Sequence, residues 1–253
     1  MRLFKNFSLL TVAVLLSTTA VVYAQKPSPT ANPQEPIRVH TESPLGCATN
    51  CLWYSGDTDF SNTNWSGLYN GNTPNYGGLY GQVWTPFFPA YNSNPWYNSV
   101  QITSITANEV TLGAPTVTNM TYAINVSTAP GFVGHPLYSG TCNFSQPQAT
   151  GRSGYGYYEY AITCNLPTPV TLPTGSVYMV NVYPTISDSM PIYWSNATDL
   201  PEINHIGWSD ILDGSYFTSG FFGFYFVNAN TQGYFSEFSV GMTGSYVHAY
   251  PVH

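Results

Sequence analysis

Val117-Thr-Asn-Met-Thr-Tyr-Ala-Ile-Asn-Val-Ser127 alternates in a period of two: Met120, Tyr122, Ile124 and Val126 fall on one side, and Asn119, Thr121 and Asn125 on the other. That is the period of an extended strand with one face on a core, because successive side chains leave a strand on opposite faces. The same kind of segment recurs on both sides of it. Upstream, Leu52-Trp53-Tyr54, Gln82 to Phe88, Ser99 to Ala107 and Val110 to Leu112 read as strands, with a long Gly/Asn/Asp-rich loop from Ser55 to Gly81. Downstream come Leu137 to Phe144, Tyr155 to Cys164, Val177 to Tyr183, Ile192 to Trp194, Phe221 to Val227 and Phe235 to Met242. Val177 to Tyr183 is almost continuously apolar, which predicts a central strand covered on both faces. About ten strands at roughly 8–12-residue spacing, with turn residues between them, indicate a sandwich or barrel. No sustained helical period and no internal repeat interrupts the series. The expectation is all-β: a single antiparallel, jelly-roll-like β-sandwich over residues 47–253.

Composition agrees with strands. Charged residues make up 7% of the chain, against about a quarter in ordinary domains, while Tyr, Phe and Trp number 21, 14 and 6. Tyr, Phe, Thr and Val favour the pleated, half-buried surface of a sheet, and the 22 Gly and 20 Pro punctuate it. The first 24 residues read as a cleavable export signal: Arg2 and Lys5, an apolar run from Phe7 to Val22, then Val22-Tyr23-Ala24 before Gln25. The apolar run is short and rich in Ser and Thr, which argues against a membrane anchor. No second such span follows, so no membrane span is expected after signal cleavage. Residues 25–46, with Pro27, Pro29, Pro33, Pro36 and Pro44, form a proline-rich leader.

After residue 24 the chain carries three basic residues, Lys26, Arg38 and Arg152, against twelve acidic ones, a net charge of −9. Such a chain lacks the cations that neutralise phosphates, so nucleic acid is excluded as a partner. Four cysteines in an exported chain predict two disulfides. Cys47 is assigned to Cys51 and Cys142 to Cys164. The second pairing follows from a hairpin centred on Gly151-Arg152-Ser153-Gly154, which sets Cys142 opposite Cys164 and Phe144 opposite Ile162.

Ala149-Thr-Gly-Arg-Ser-Gly-Tyr-Gly-Tyr-Tyr-Glu-Tyr160 resembles the "ATGRSGFGFTEY" hairpin of a group of secreted bacterial proteins of uncharacterised activity, often found with C-terminal envelope-sorting tails. Leu172 to Tyr178 is similar to that group's "L-x-x-G-x-Y-W" segment, with Met179 in place of the tryptophan, and Ser215 to Gly223 and Phe235 to Gly244 resemble its last two strands. The likeness spans about residues 50–247. It implies a secreted bacterial β-sandwich and transfers no catalytic residue. The chain departs from the group in having no sorting tail.

Arg152, in a glycine-flanked turn, is expected to pair with Glu159 along the hairpin and fix it. A glycosidase would need two carboxylates across a cleft. Glu109, Glu159, Glu237, Asp210 and Asp213 are the candidates, and Glu159 is expected to face outward, opposite Tyr158, Tyr160 and Ile162. No Gly-x-Ser-x-Gly elbow, spare cysteine or paired histidines suggest a nucleophile or zinc site. Asp57 and Asp59 lie in an oxygen-rich loop with Asn62, which makes a structural calcium ion a candidate, although Asp and Asn also serve turns for local reasons. The rings of Trp65, Tyr69, Tyr76, Tyr80, Trp84, Tyr91, Trp96 and Tyr97 crowd one region among Asn, Gly and Ser. Flat rings flanked by amides suit sugar faces and hydroxyls, and they suit an aliphatic-poor core equally. Trp65, Tyr69, Trp84 and Trp96 are the candidate glycan contacts. The expectation is a secreted, non-catalytic protein at the cell surface that binds a polysaccharide or another envelope component. The alternatives are a carboxylate-pair glycoside hydrolase and a purely structural matrix protein.

Overall fold

A computed structural model describes residues 51–58, 60, 70–73, 79–89, 96–127, 133–195, 216–219, 227–228 and 238–248. All regular elements among them are strands: β1 Cys51–Tyr54, β2 Gly71–Thr73, β3 Leu79–Phe87, β4 Tyr97–Thr111, β5 Val117–Val126, β6 His135–Thr141, β7 Asn143–Phe144, β8 Gln148–Gly154, β9 Tyr157–Pro173, β10 Tyr178–Ile186, β11 Tyr193–Trp194, β12 Tyr216–Ser219, β13 Val227–Asn228 and β14 Val240–His248. One sheet runs β1-β14-β4-β9-β7, with β11 beside β4 and β8 beside β9. The other runs β13-β12-β3-β2-β10-β5-β6, and β3 also touches β10 directly. The chain is a β-sandwich. Its pairings are antiparallel except for a short parallel contact between Asn72 of β2 and Thr185 of β10.

The alternation in Val117–Val126 places the core. Met120, Tyr122 and Ile124 lie in the main apolar cluster between the sheets. They meet the even-numbered side chains of β10, Tyr178, Val180 and Val182, in an antiparallel register that sets Val180 opposite Ile124. From the first sheet, Ile105 and Ala107 of β4, Ile162 and Cys164 of β9, and Val240 and Met242 of β14 close the same cluster. β10 is buried on both faces, because Met179 on its other side packs with Trp84 and Val133.

Cys142 and Cys164 form a disulfide, with their Cα atoms 5.5 Å apart, but not through the expected hairpin. Leu137 to Thr141 belongs to β6, in the second sheet, where it pairs with β5. The chain changes sheets at Cys142, whose N–H donates to Met120 O of β5 at 3.1 Å. In the first sheet Phe144 faces Cys164, not Ile162. The bridge therefore fastens one sheet to the other at a crossover and does not join neighbours in a ladder.

The hairpin turn also lies further on. Tyr155 and Gly156 both have positive φ, 54° and 78°, as a two-residue type I′ turn requires. Gly151, at φ 83°, sits in a bulge between Ala149 and Ser153. Gly154 is needed for a different reason: a Cβ there would stand 2.9 Å from Phe60 Cβ. Cys51 is disulfide-bonded, while Cys47 lies outside the described residues.

Removing the crossover bridge frees a loop of 22 residues. Replacing Cys142 and Cys164 together by Ala should lower stability by about 3 kcal/mol, read as the change in urea unfolding free energy. A loss under about 0.5 kcal/mol would show that the unfolded chain gains nothing from the cut.

Candidate functional site

Three places concentrate polar or aromatic chemistry, and each is set by strand register. The first lies on the face of the first sheet that points away from the core. Val110 of β4 is opposite Glu159 of β9, so Glu159 leaves the sheet on the side away from Ile162 and the core. That side was expected; the solvent exposure expected with it is not found. Glu159 is fully buried, because the chain after β1 folds over this face and packs Phe60 on Val110.

Arg152 projects from the β8 bulge between two carboxylates. Its Nη1 lies 2.9 Å from Asp57 Oδ1, and its Nε pairs with Glu159 Oε2. Glu159 also accepts from Thr150 Oγ1 at 2.8 Å and Ser195 Oγ at 2.6 Å. The Tyr54 hydroxyl donates to Asp57 and accepts from Asn108 Nδ2 at 2.8 Å. Asn108 Nδ2 also reaches Ser239 Oγ at 2.8 Å, and Ser239 Oγ donates to Gly56 O at 2.6 Å. Burial pushes the Tyr54 phenol well up, and the charge of Asp57 adds to this. Burial alone would lower Arg152, but Glu159, Tyr54 and Asp57 more than offset it and hold the guanidinium charged. The network joins β1, β4, β8, β9 and the residues next to β11 and β14, and leaves Arg152 Nη2 and Asn108 Oδ1 without a hydrogen-bond partner among the described residues. The Arg152–Glu159 pair was legible from the sequence; Asp57, Tyr54 and Ser195 were not, since nothing local places them beside Arg152. Asp57, the calcium candidate, is ion-paired with Arg152, and Asp59 lies outside the described residues.

The second place is the interior. β3 pairs with β10 through Thr85–Phe87; beyond that, β2 enters between them. Asn70 fills the fork. Its Oδ1 accepts from the Val83 N–H at 3.1 Å, and its Nδ2 donates to Val182 O at 2.9 Å and to Glu109 Oε1 at 2.8 Å. Asn181 Nδ2 donates to Val83 O at 2.6 Å. Glu109 thus reaches from β4 across the core to the opposite sheet. Burial raises its pKa well above the usual carboxylate range, against the smaller opposing effect of the Asn70 hydrogen bond. Glu109 and Glu159 leave opposite faces of their sheet, since Glu109 pairs with Tyr160 and Val110 with Glu159. They cannot flank one glycosidic bond. Glu237, Asp210 and Asp213 lie outside the described residues.

The third place is one end of the sandwich. Tyr97 opens β4 and faces His248 at the end of β14. Their ring centroids are 4.0 Å apart, and Tyr246 meets Tyr97 edge-on at 6.2 Å. Trp96 stands next to them with 57% of its surface exposed. Asn98 and Ser245 are exposed beside the rings, and Ser99 Oγ donates to Asn98 Oδ1 at 3.4 Å. Of the four candidate glycan contacts, Trp96 alone is exposed among the described residues. Trp84 is a correction: it is 5% exposed and packs with Met179 and Val133, so neither face of its ring is open to a sugar. Trp65 and Tyr69 lie outside the described residues. Tyr246 and His248 were missed because they come from the far end of the chain and reach Tyr97 only through the β4–β14 ladder.

Among the described residues, no helix is long and apolar enough to cross a membrane, and no three His, Cys, Asp or Glu side chains gather as a metal group. No protein-family model and no curated protein matches the chain. A search of solved structures returns the cysteine protease and lectin-like domains of Cwp84, a surface layer associated protein of Clostridium difficile, at 14% identity and a TM-score of 0.34. The match covers 67% of this chain and 33% of that one.

Two outcomes follow from the buried charges. Beyond Arg38, Arg152 is the one residue trypsin could recognise, and it is 3% exposed. The native protein should therefore keep everything from Val39 onward as one fragment. Glu159→Gln, which breaks a buried ion pair at a cost of about 3 kcal/mol, should open the Arg152–Ser153 bond. The Cys142–Cys164 bridge spans that bond, so the two halves should separate on a gel only after reduction. Cleavage of the native protein at Arg152 at the same rate as the variant would refute the burial.

Burial shifts the Glu109 carboxyl toward its protonated form in the folded protein relative to the unfolded chain. The native state then binds more protons, so stability falls as pH rises above the unfolded pKa of about 4.3, by about 1.4 kcal/mol per unit, until the folded pKa is passed. Glu109→Gln keeps the neutral shape and should remove that slope. Urea midpoints compared between the two proteins at several pH values measure it; parallel curves would show that Glu109 is ionised in place.

Proposed function

We propose that the chain is a secreted, non-catalytic β-sandwich that acts at the cell surface by binding carbohydrate, a glycan of the envelope being the expected partner. One observation carries the reading: an exposed Trp96 beside the Tyr97, Tyr246 and His248 rings, with the Asn98 amide and the Ser245 hydroxyl on the same end. Amphipathic rings offer a broad apolar face to the C–H side of a sugar, and amides and hydroxyls match its OH groups. The remaining conspicuous polar groups support a binding role more than a catalytic one. Glu159 and Asp57 are committed to Arg152, and Glu109 is sealed between the sheets. The export signal and the disulfide chemistry of the chain support a location outside the cytosol.

A glycan array probed with the mature protein tests this, with Trp96→Ala and Tyr97→Ala as controls. At least one glycan should be retained, and Trp96→Ala should weaken it tenfold or more, equivalent to about 1.4 kcal/mol. Retention unchanged by both substitutions would place binding elsewhere, and silence across the array would favour a structural role.

A further inference from the structure

The aromatic end of the sandwich can be taken one step further, on the premise that it binds carbohydrate. We infer that its ligand is an electrically neutral polysaccharide, and that anionic envelope polymers are excluded. Residues 47–253 contain one Lys or Arg, Arg152, against ten Asp and Glu. That cation is removed from the surface: it is 3% exposed and lies between Asp57 and Glu159. No ammonium or guanidinium group from this stretch therefore reaches solvent at any position. A polymer of phosphodiesters or uronates needs such groups to replace its counterions. Without them it meets a stretch in which Asp and Glu outnumber Lys and Arg ten to one, and is repelled.

The end of the sandwich is built for the opposite case. Its described polar groups are the Asn98 amide, the hydroxyls of Ser99 and Ser245, the phenols of Tyr97 and Tyr246 and the His248 imidazole, set beside Trp96. Those groups exchange neutral hydrogen bonds with sugar hydroxyls, and the rings supply apolar contact; neither responds strongly to salt. Salt dependence thus separates the two ligand classes. Stacking and neutral hydrogen bonds persist as the Debye length shrinks, whereas binding through charge does not.

The test is retention of the mature protein on insoluble cellulose, β-1,3-glucan and chitin, compared with immobilised polygalacturonate and poly(glycerol phosphate). Each is run at about 0.02 M and about 0.5 M NaCl, and the polyanions also with added calcium. Retention is expected on at least one neutral polymer, changed by less than about twofold between the two salts and lost tenfold or more in Trp96→Ala. No retention is expected on either polyanion. Retention on a polyanion, with or without calcium, or neutral-polymer binding that collapses in salt, would overturn the inference while leaving carbohydrate binding intact. No retention on any of the five matrices would overturn both.

Discussion

The Arg152 guanidinium, shared between Asp57 and Glu159, governs much of what is distinctive in this chain. A buried ion pair contributes little net stability, since desolvation consumes most of the attraction, yet losing one partner is severe. What the pair supplies is position. Arg152 comes from a bulge, Glu159 from the neighbouring strand and Asp57 from the segment after β1, so the three charges can meet in one arrangement of those pieces. That arrangement lays the segment after β1 over the outer face of the first sheet. It lets Phe60 close on Val110, and Gly154 is the small residue that makes room for it. The same pair also withdraws from the surface the one Lys or Arg of residues 47–253. Internal architecture and external electrostatics therefore rest on one side chain.

The interior repeats this logic without net charge. A sheet whose strands fork leaves an N–H and a C=O unpaired inside the protein, and each unmet group costs about 1–3 kcal/mol. Asn70 answers both with one amide, and Asn181 answers a second carbonyl. Glu109 completes the set from the facing sheet, and burial shifts its carboxyl toward the neutral form. Cys142 and Cys164 fix the sheets to each other at a crossover. The fork is thus held in register by one covalent and several polar contacts that span the core.

Strand parity could be read from the sequence because it is a local property. Met120, Tyr122 and Ile124 face the core as their spacing says, and β10 is buried on both faces as its apolar run says. Parity fails where the question becomes what lies above a face. Glu159 was placed on the correct side of its strand and assigned to solvent, because nothing near it in the chain announces that the Ser55–Phe60 segment will cover it. Trp84 was placed among surface rings for the same reason. Cys142 and Cys164 are partners as expected, although the hairpin argument behind that pairing was wrong. Gly151-Arg-Ser-Gly154 looks like a turn, but it forms a bulge, and the turn passes through Tyr155, a residue that rarely adopts positive φ. Cys142 belongs to a crossover, which no two-strand register can show.

The aromatic end shows how distant segments assemble a surface that neither contains. Tyr97 and His248 are 151 positions apart in the chain and become neighbours because β14 pairs with β4 along almost its whole length. Register shifts at Thr243/Gly244 and Val247/His248 break the strict two-residue alternation of that ladder. Without the second shift, His248 would stand opposite Asn98 and not Tyr97, and the two rings would leave opposite faces. The bulge therefore decides that the rings meet. Their contact shields part of each ring, while Trp96, on the turn just before the strand, stays more than half exposed. A site of this kind tolerates sequence change in its polar surroundings more readily than a shift of one residue in β4 or β14.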